Sequence, residues 1–160
     1  MKACWLLAAL TACLPVRRPS VDLEPGVSLT GYRVFDVGPV VDESGWPFPY
    51  PIGDSLRTRL VDRLREHELV VATRDSTGAP VLRIESRLTY FRGSSAVGLR
   101  FGGGIGSSRC RLTSVLHDGA TGRRLGEIRA AEDDELAPFT VLMTCARMVG
   151  DEVFRRVRGR

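Results

Sequence analysis

Residues 98–126 constrain the fold more than any other part of this 160-residue sequence. They join a glycine-rich run, an extended segment containing Thr113 and Val115, a turn at 118–122 and a second extended segment. Thr and Val favour strands, while the Asp, Gly and Thr of the turn suit a tight change of direction. The stretch therefore predicts a central β-hairpin on which the other elements pack.

The flanking segments alternate between strand and helix patterns. Strands are predicted at 31–37, 69–73 and 81–91, the last with Leu82, Ile84, Leu88 and Tyr90 on one face. Helical spacing predicts a helix capped by Asp54 or Ser55 and a closing helix that begins at Pro138. The order β-α-β-β-β-β-α predicts an α+β fold, a mostly antiparallel sheet of about five strands with two helices on one face.

Residues 1–12 have the pattern of a cleaved export signal. Lys2 precedes an apolar run at 3–10, and this run is shorter than the roughly 20 residues of a membrane-spanning helix. The following Leu-Thr-Ala-Cys at 10–13 resembles the bacterial lipobox. That resemblance implies cleavage before Cys13, a diacylglycerol on its thiol and an acyl chain on its new amine. The alternatives are a plain secretory signal and a chance cysteine.

Leu14 follows Cys13 in place of the aspartate that retains many such lipoproteins at the inner membrane. The resemblance therefore implies an outer-membrane lipoprotein that faces the periplasm. Residues 13–26 contain three prolines and show no apolar period, which predicts a tether. Residues 27–160 are predicted to form a single α+β periplasmic domain.

Candidate chemistry is sparse. The glycine run at 102–106 lacks the lysine and the following helix of a phosphate loop, which favours a strand connection without nucleotide binding. His67 and His117 are the only histidines, too few for the three or four ligands of a typical zinc site. The sequence has no G-x-S-x-G nucleophile elbow. We therefore predict no catalytic residue, no metal and no cofactor, and a protein that is not an enzyme.

The net charge of +4 comes from arginine, because Lys2 is the only lysine. We interpret this excess as a solvated surface and predict no nucleic-acid partner. The aromatic and proline loop at 46–51 has two interpretations, an exposed ledge for a partner or a cover over one end of the core.

Two cysteines remain in the exported domain once Cys4 leaves with the leader and Cys13 carries lipid. In an oxidising periplasm, Cys110 and Cys145 could bridge the hairpin to the closing helix, which the chain-entropy model values at roughly 4 kcal/mol. The alternative is two small buried thiols on separate faces, and the sequence leaves both open.

A signature around the hairpin resembles an uncharacterised family of bacterial envelope lipoproteins. It consists of an arginine before a G-x-G loop and a strand that ends in D-x-x-T-G-[KR]-x-L. The matching residues are Arg100, Gly102, Gly104, Asp118, Thr121, Gly122, Arg123 and Leu125. The resemblance covers about 27–157, and the family fold is similar to the periplasmic domains of the curli-secretion lipoprotein and the N-terminal part of TolB-type proteins.

The resemblance implies a binding or assembly role. The favoured hypothesis is a non-enzymatic lipoprotein that joins the membrane through its lipid and binds an unidentified envelope protein in a transport or surface-assembly complex. The alternative is a lipid- or glycan-binding auxiliary lipoprotein of an envelope lipid-transport system, with the arginines at 155–160 on anionic head groups. An apolar pocket between sheet and helices favours the alternative, whereas a closed core with an exposed sheet edge favours the first.

Overall fold

The structure, a computed structural model, describes residues 18–72, 79–93, 107–134 and 137–160. These residues form six strands and two helices. The strands are β1 (Ser20–Leu23), β2 (Val34–Asp42), β3 (Val70–Val71), β4 (Val81–Arg92), β5 (Ser108–Asp118) and β6 (Arg124–Asp134). The helices are α1 (Ile52–Glu66) and α2 (Pro138–Val157). The α+β prediction is confirmed.

All six strands belong to one sheet in the order β1-β6-β5-β4-β2-β3. The pairings β1–β6, β6–β5 and β5–β4 are antiparallel, while β4–β2 and β2–β3 are parallel. The sheet has one strand more than expected, because Ser20–Leu23 pairs with β6 although the sequence analysis assigned it to the tether. From β2 onward, the order of elements is the predicted one.

Both helices pack on one face of the sheet. The predicted stripe of α1 is buried, with Leu56, Leu60 and Leu64 at 0% exposure. α1 begins at Ile52, directly after Pro51, and no side chain caps it, so the predicted cap at Asp54 or Ser55 is wrong. α2 has Pro138 in its first turn, where the missing N–H of proline costs no helical hydrogen bond.

A bulge in β4 changes which side chains reach the core. The pairing with β5 shifts between Leu88 and Tyr90, so Phe91 turns inward and is 5% exposed. Tyr90 is 36% exposed on the opposite face, and its predicted place beside Leu82 and Leu88 is wrong. A bulge adds one residue to one strand, which reverses the inward and outward alternation beyond it.

β6 is longer than the sequence suggests. Residues 132–135 read Glu-Asp-Asp-Glu, a composition that strands disfavour, but the ladder between β5 and β6 continues to the pair Ser108 and Asp134. Pairing with β5 satisfies the backbone there, and the acidic side chains sit at the end of a strand.

The aromatic loop closes one end of the core. The ring of Phe48 lies 5.0 Å from that of Phe91, and Trp46 meets Phe91 edge-on at 5.4 Å. Both contacts follow the interpretation of a cover over the core. Trp46 and Tyr50 nevertheless remain 39% and 43% exposed, so part of the aromatic surface faces solvent.

Candidate functional site

The signature residues that the structure describes build the turn between β5 and β6. Oδ1 of Asp118 accepts hydrogen bonds from the backbone N–H and the hydroxyl of Thr121, both at 2.7 Å. Gly122 adopts a φ of 70°, which glycine tolerates without strain. Leu125 is 1% exposed and anchors the start of β6 in the core. The signature positions Arg100, Gly102 and Gly104 lie outside the described residues.

Asp118 also ties the turn to the segment before β2. The hydroxyl of Tyr32 donates to its Oδ2 at 2.8 Å. Hydrogen bonds from Thr121, followed by that from Tyr32, hold the pKa of Asp118 below its usual value. Burial and the bond to Asp118 raise the pKa of Tyr32 to about 12. At neutral pH the phenol is therefore a protonated donor and the carboxylate an ionised acceptor, an arrangement that stabilises the turn.

Cys110 and Cys145 are both free and buried, and they are neighbours. The Sγ of Cys145 lies 3.7 Å from the carbonyl oxygen of Cys110. Contact with the Cys110 side chain and burial raise the pKa of the Cys145 thiol, so this sulfur stays protonated at neutral pH. The alternative of thiols on separate faces is wrong, while the disulfide stays a prediction.

In protein purified from the envelope, alkylation in denaturant without reductant is expected to label neither Cys110 nor Cys145. The expectation rests on their contact across the β5–α2 interface and on an oxidising compartment. Mass spectrometry of the alkylated chain measures the result, and a reduced sample, in which both thiols react, is the control. Full labelling without reductant would mean that the pair is buried packing only.

His67 belongs to a polar cluster that joins the two helices. Its Nε2 lies 2.7 Å from Oδ1 of Asp151, and Nε of Arg63 donates to the same oxygen at 2.6 Å. The imidazole stacks on Phe154 with ring centroids 4.1 Å apart. Burial works to raise the pKa of Asp151, but the bonds from Arg63 and His67 outweigh it, so the net shift is downward.

His117 lies elsewhere, with its Nδ1 3.3 Å from the carbonyl oxygen of Gly122. In the part of the chain that the structure describes, no three His, Cys, Asp or Glu side chains form a group that could hold a metal ion. His67 thus takes part in the contact between the helices, and His117 contacts the turn between β5 and β6.

Two of the arginines at the end of α2 pair with an acidic side chain of the same helix. Glu152 is 2% exposed, and its carboxylate pairs with Arg155 and with Nε of Arg156, the latter at 2.8 Å. The guanidinium of Arg158 lies over the ring of Phe154. The sequence analysis considered these cations only as a site for anionic head groups and missed Glu152. The spacing of Glu152 to the arginines at i+3 and i+4 was the signal that could have revealed the pairing.

The side of the sheet away from the helices is open and charged. Its strands project mostly charged and polar side chains, among them Arg83, Arg87, Arg109, Arg111, Arg129, Asp36, Glu85, Glu127 and Asp133. Several pair across strands: Arg83 with Asp36 at 3.3 Å, and Arg109 with Asp133 at 2.9 Å. Exposed pairs of this kind contribute about 0–1 kcal/mol each, so their main effect is on surface charge.

The opposite face is closed by the helices. Its sheet residues Leu82, Ile84 and Leu116 are 0% exposed, as are Leu60 of α1 and Val149 of α2. The grooves formed by described residues lie at the surface, such as one of about 480 Å³ beside α2 that Arg147 and Asp151 line. This is the closed core that the sequence analysis set as the criterion for an assembly role.

The sheet edge at β3 is exposed. Val70 is 58% exposed, and the N–H of Ala72 continues the pairing to the carbonyl of Phe35 at 3.0 Å. On its other side, β3 pairs with no strand among the residues that the structure describes. Further along β2, α1 blocks the edge, since Nε of Arg57 donates to the carbonyl of Val37 at 3.0 Å.

Comparison with known proteins gives a structural match and no sequence match. No protein-family model matches the chain, and no curated protein matches it by sequence. The PelC dodecamer from Paraburkholderia phytofirmans superposes with a TM-score of 0.58 at 16% identity, over 82% of this chain and 96% of that one.

Two further solved structures have the same fold. Protein XCC0632 from Xanthomonas campestris, described as DUF330, has a TM-score of 0.54 at 14% identity over 89% of this chain and 95% of that one. The hypothetical protein CT253 from Chlamydia trachomatis has a TM-score of 0.56 at 10% identity, over 79% of this chain and 99% of that one. Within the described residues, neither helix is both long and apolar enough to cross a bilayer. At these identities the likeness establishes the fold alone.

Proposed function

We propose that the protein is a non-enzymatic lipoprotein of the outer membrane, facing the periplasm. Its lipid on Cys13 holds it at the membrane, and its domain binds an envelope protein in a transport or surface-assembly complex. The observation that carries the proposal is a closed helix–sheet core combined with an exposed edge at β3, because such a domain offers a surface for pairing and not an interior for a ligand.

The exposed edge explains how a partner would bind. A strand at a sheet edge presents unpaired N–H and C=O groups that an extended segment of another chain can join. In β3, Val70 adds an exposed apolar side chain to these groups. Charged side chains on an edge strand oppose pairing, and β3, which is only two residues long, has none because it consists of Val70 and Val71.

A second copy of this chain is the first partner to test. The PelC protein with which this chain shares its fold forms a dodecamer. A second copy of this chain would bring the same β3 edge or the β1 edge at the far side of the sheet.

The alternative, a lipid- or glycan-binding auxiliary lipoprotein, has less support. Its proposed anchor was the arginine cluster of α2, and two of those arginines pair with the buried Glu152. The residues that fill the space between helices and sheet, such as Phe35 and Leu60, are fully buried and leave the core packed.

Changing Val70→Lys is expected to reduce partner capture by roughly fivefold or more, the effect of about 1 kcal/mol at an interface residue. A lysine on an edge strand opposes pairing with another strand, while the exposed side chain leaves the core untouched. The measurement is the yield of crosslinked partner or self-adduct recovered with the tagged full-length protein from crosslinked membranes.

Phe139→Lys is the matched control, because Phe139 is 49% exposed at the start of α2 and lies away from the edge. It should leave the yield unchanged. Equal yields from wild type and Val70→Lys would remove β3 as the binding edge.

A further inference from the structure

The open face of the sheet contains a groove of about 630 Å³ whose charged lining residues are arginines. Arg18, Arg111 and Arg129 line it together with the hydroxyl-bearing side chains of Ser20 and Thr113, and with Thr89, whose hydroxyl donates to the carbonyl of Arg111. Guanidinium and hydroxyl groups are donors that suit phosphate oxygens, and Arg can contact phosphate with two parallel hydrogen bonds. The groove belongs neither to the β3 edge nor to the helix cluster.

Strand register explains how the arginines converge. Arg111 pairs with Ala131 and Thr113 pairs with Arg129, so the two arginines are diagonal neighbours on β5 and β6. Diagonal neighbours on one face of an antiparallel pair lie about 7–8 Å apart, close enough for both guanidiniums to reach one phosphate. The small side chain of Ala131 leaves space between them, and Arg18 borders the same space from the β1 side.

The charge of this groove is only partly compensated. Among the described residues, Arg111 makes no ion pair, and its guanidinium lies 5.5 Å from the ring centroid of Tyr90. Arg129 pairs with Glu127, which Arg124 also contacts at 2.7 Å. The carboxylates nearest to the groove lie in the rows on either side of it, with Asp22 opposite Glu127 in one row and Asp133 paired with Arg109 in the other. The groove therefore attracts anions.

Chain length limits how far the groove can be from the anchor. Four residues separate Cys13 from Arg18. Even fully extended, the five Cα–Cα steps from Cys13 to Arg18 span at most about 18 Å. A lipid on Cys13 would thus keep the groove close to the head groups of the membrane that holds it.

We propose that this groove binds the phosphate head groups of anionic phospholipids in the membrane that carries the anchor. The inference rests on the proposed lipid anchor, which supplies the proximity, and it adds a defined orientation of the sheet against that membrane. The contact is to head groups at the surface, whereas the auxiliary-lipoprotein alternative requires a bound lipid or glycan. Because the charges are exposed, the attraction weakens as ionic strength rises.

The test uses the full-length chain with Cys13→Ser, so that acylation of Cys13 makes no contribution. Binding is measured by sedimentation with vesicles of phosphatidylcholine alone and with vesicles that also contain phosphatidylglycerol. The difference between the two is the charge-dependent part of binding. Each arginine near an anionic surface contributes about fivefold in affinity, so Arg111→Gln with Arg129→Gln is expected to lower this part about 25-fold. Ala131→Glu, an exposed substitution that places a carboxylate in the groove, should lower it as well.

Arg83→Gln with Arg87→Gln is the matched control. It removes the same charge from the same face, but Arg83 and Arg87 line a different groove, which Asp36 and Glu85 also line. It should leave most of the binding in place. Equal losses in both double variants, or no preference for phosphatidylglycerol, would overturn the proposal. A third result would also overturn it. If the groove variants lost binding to soluble alginate but kept their binding to vesicles, the ligand would be an anionic glycan. Absence of acylation at Cys13 in cells would remove the anchor and leave this measurement unaffected.

Discussion

Replacing Gly53 with alanine is expected to lower the free energy of unfolding by about 3 kcal/mol, at the upper end of ordinary overpacking. A Cβ at this position would overlap the backbone carbonyl oxygen of Val40, where the first turn of α1 crosses β2. Neither backbone can yield without moving α1 away from the sheet. The gain in helix propensity from glycine to alanine, at most about 1 kcal/mol, is too small to compensate.

Urea unfolding followed by circular dichroism measures this effect on the full-length chain. Gly31→Ala is the control, because a Cβ at Gly31 would meet no atom within 4 Å. Its stability should stay unchanged or rise by less than about 1 kcal/mol, since alanine restricts the unfolded chain. A Gly53→Ala protein as stable as the wild type would mean that α1 and β2 do not approach this closely.

The second large effect is expected at Cys13. Radiolabelled palmitate should enter the wild-type protein in cells and be absent from Cys13→Ser, because the thiol is the proposed site of diacylglycerol transfer. The leader should also remain uncut, and chain mass on a gel measures this. An acyl anchor adds about 0.8 kcal/mol for each buried methylene, so loss of all chains would remove the contribution of the lipid to membrane attachment.

Cys4→Ser is the control for this experiment, since Cys4 would lie in the cleaved leader. It should be labelled like the wild type. Equal labelling of the wild type and Cys13→Ser would end the anchor proposal, while the β3 edge would keep its own test in the crosslinking yield.

Local patterns in the sequence were sufficient for most elements of the fold. The stripe of Leu56, Leu60 and Leu64 predicts the buried face of α1, and these residues are fully buried. The turn at Asp118–Gly122 was also predictable, because the bonds that Thr121 donates to the Asp118 side chain join residues three positions apart. Helix periodicity and turn chemistry depend on neighbours in the chain, so they are visible without the fold.

Features that depend on distant residues were not predictable in this way. β1 was taken for tether because Ser20–Leu23 has no strong pattern, and only the edge of β6 makes it a strand. Tyr90 was assigned to the core because strict alternation was assumed, and the bulge opposite Arg111 reversed it. The exposed edge at β3 follows from its place in the strand order, which no segment specifies alone.

The same distinction applies to the candidate surfaces. The sequence alone determined that the chain is rich in arginine and resembles a lipoprotein at its start. Only the tertiary structure decided that Arg155 and Arg156 pair with Glu152 while Arg111 and Arg129 meet across two strands. The physical reason is that charge composition is additive along the chain, whereas the field at a surface depends on which charges the strand register and helix packing bring together.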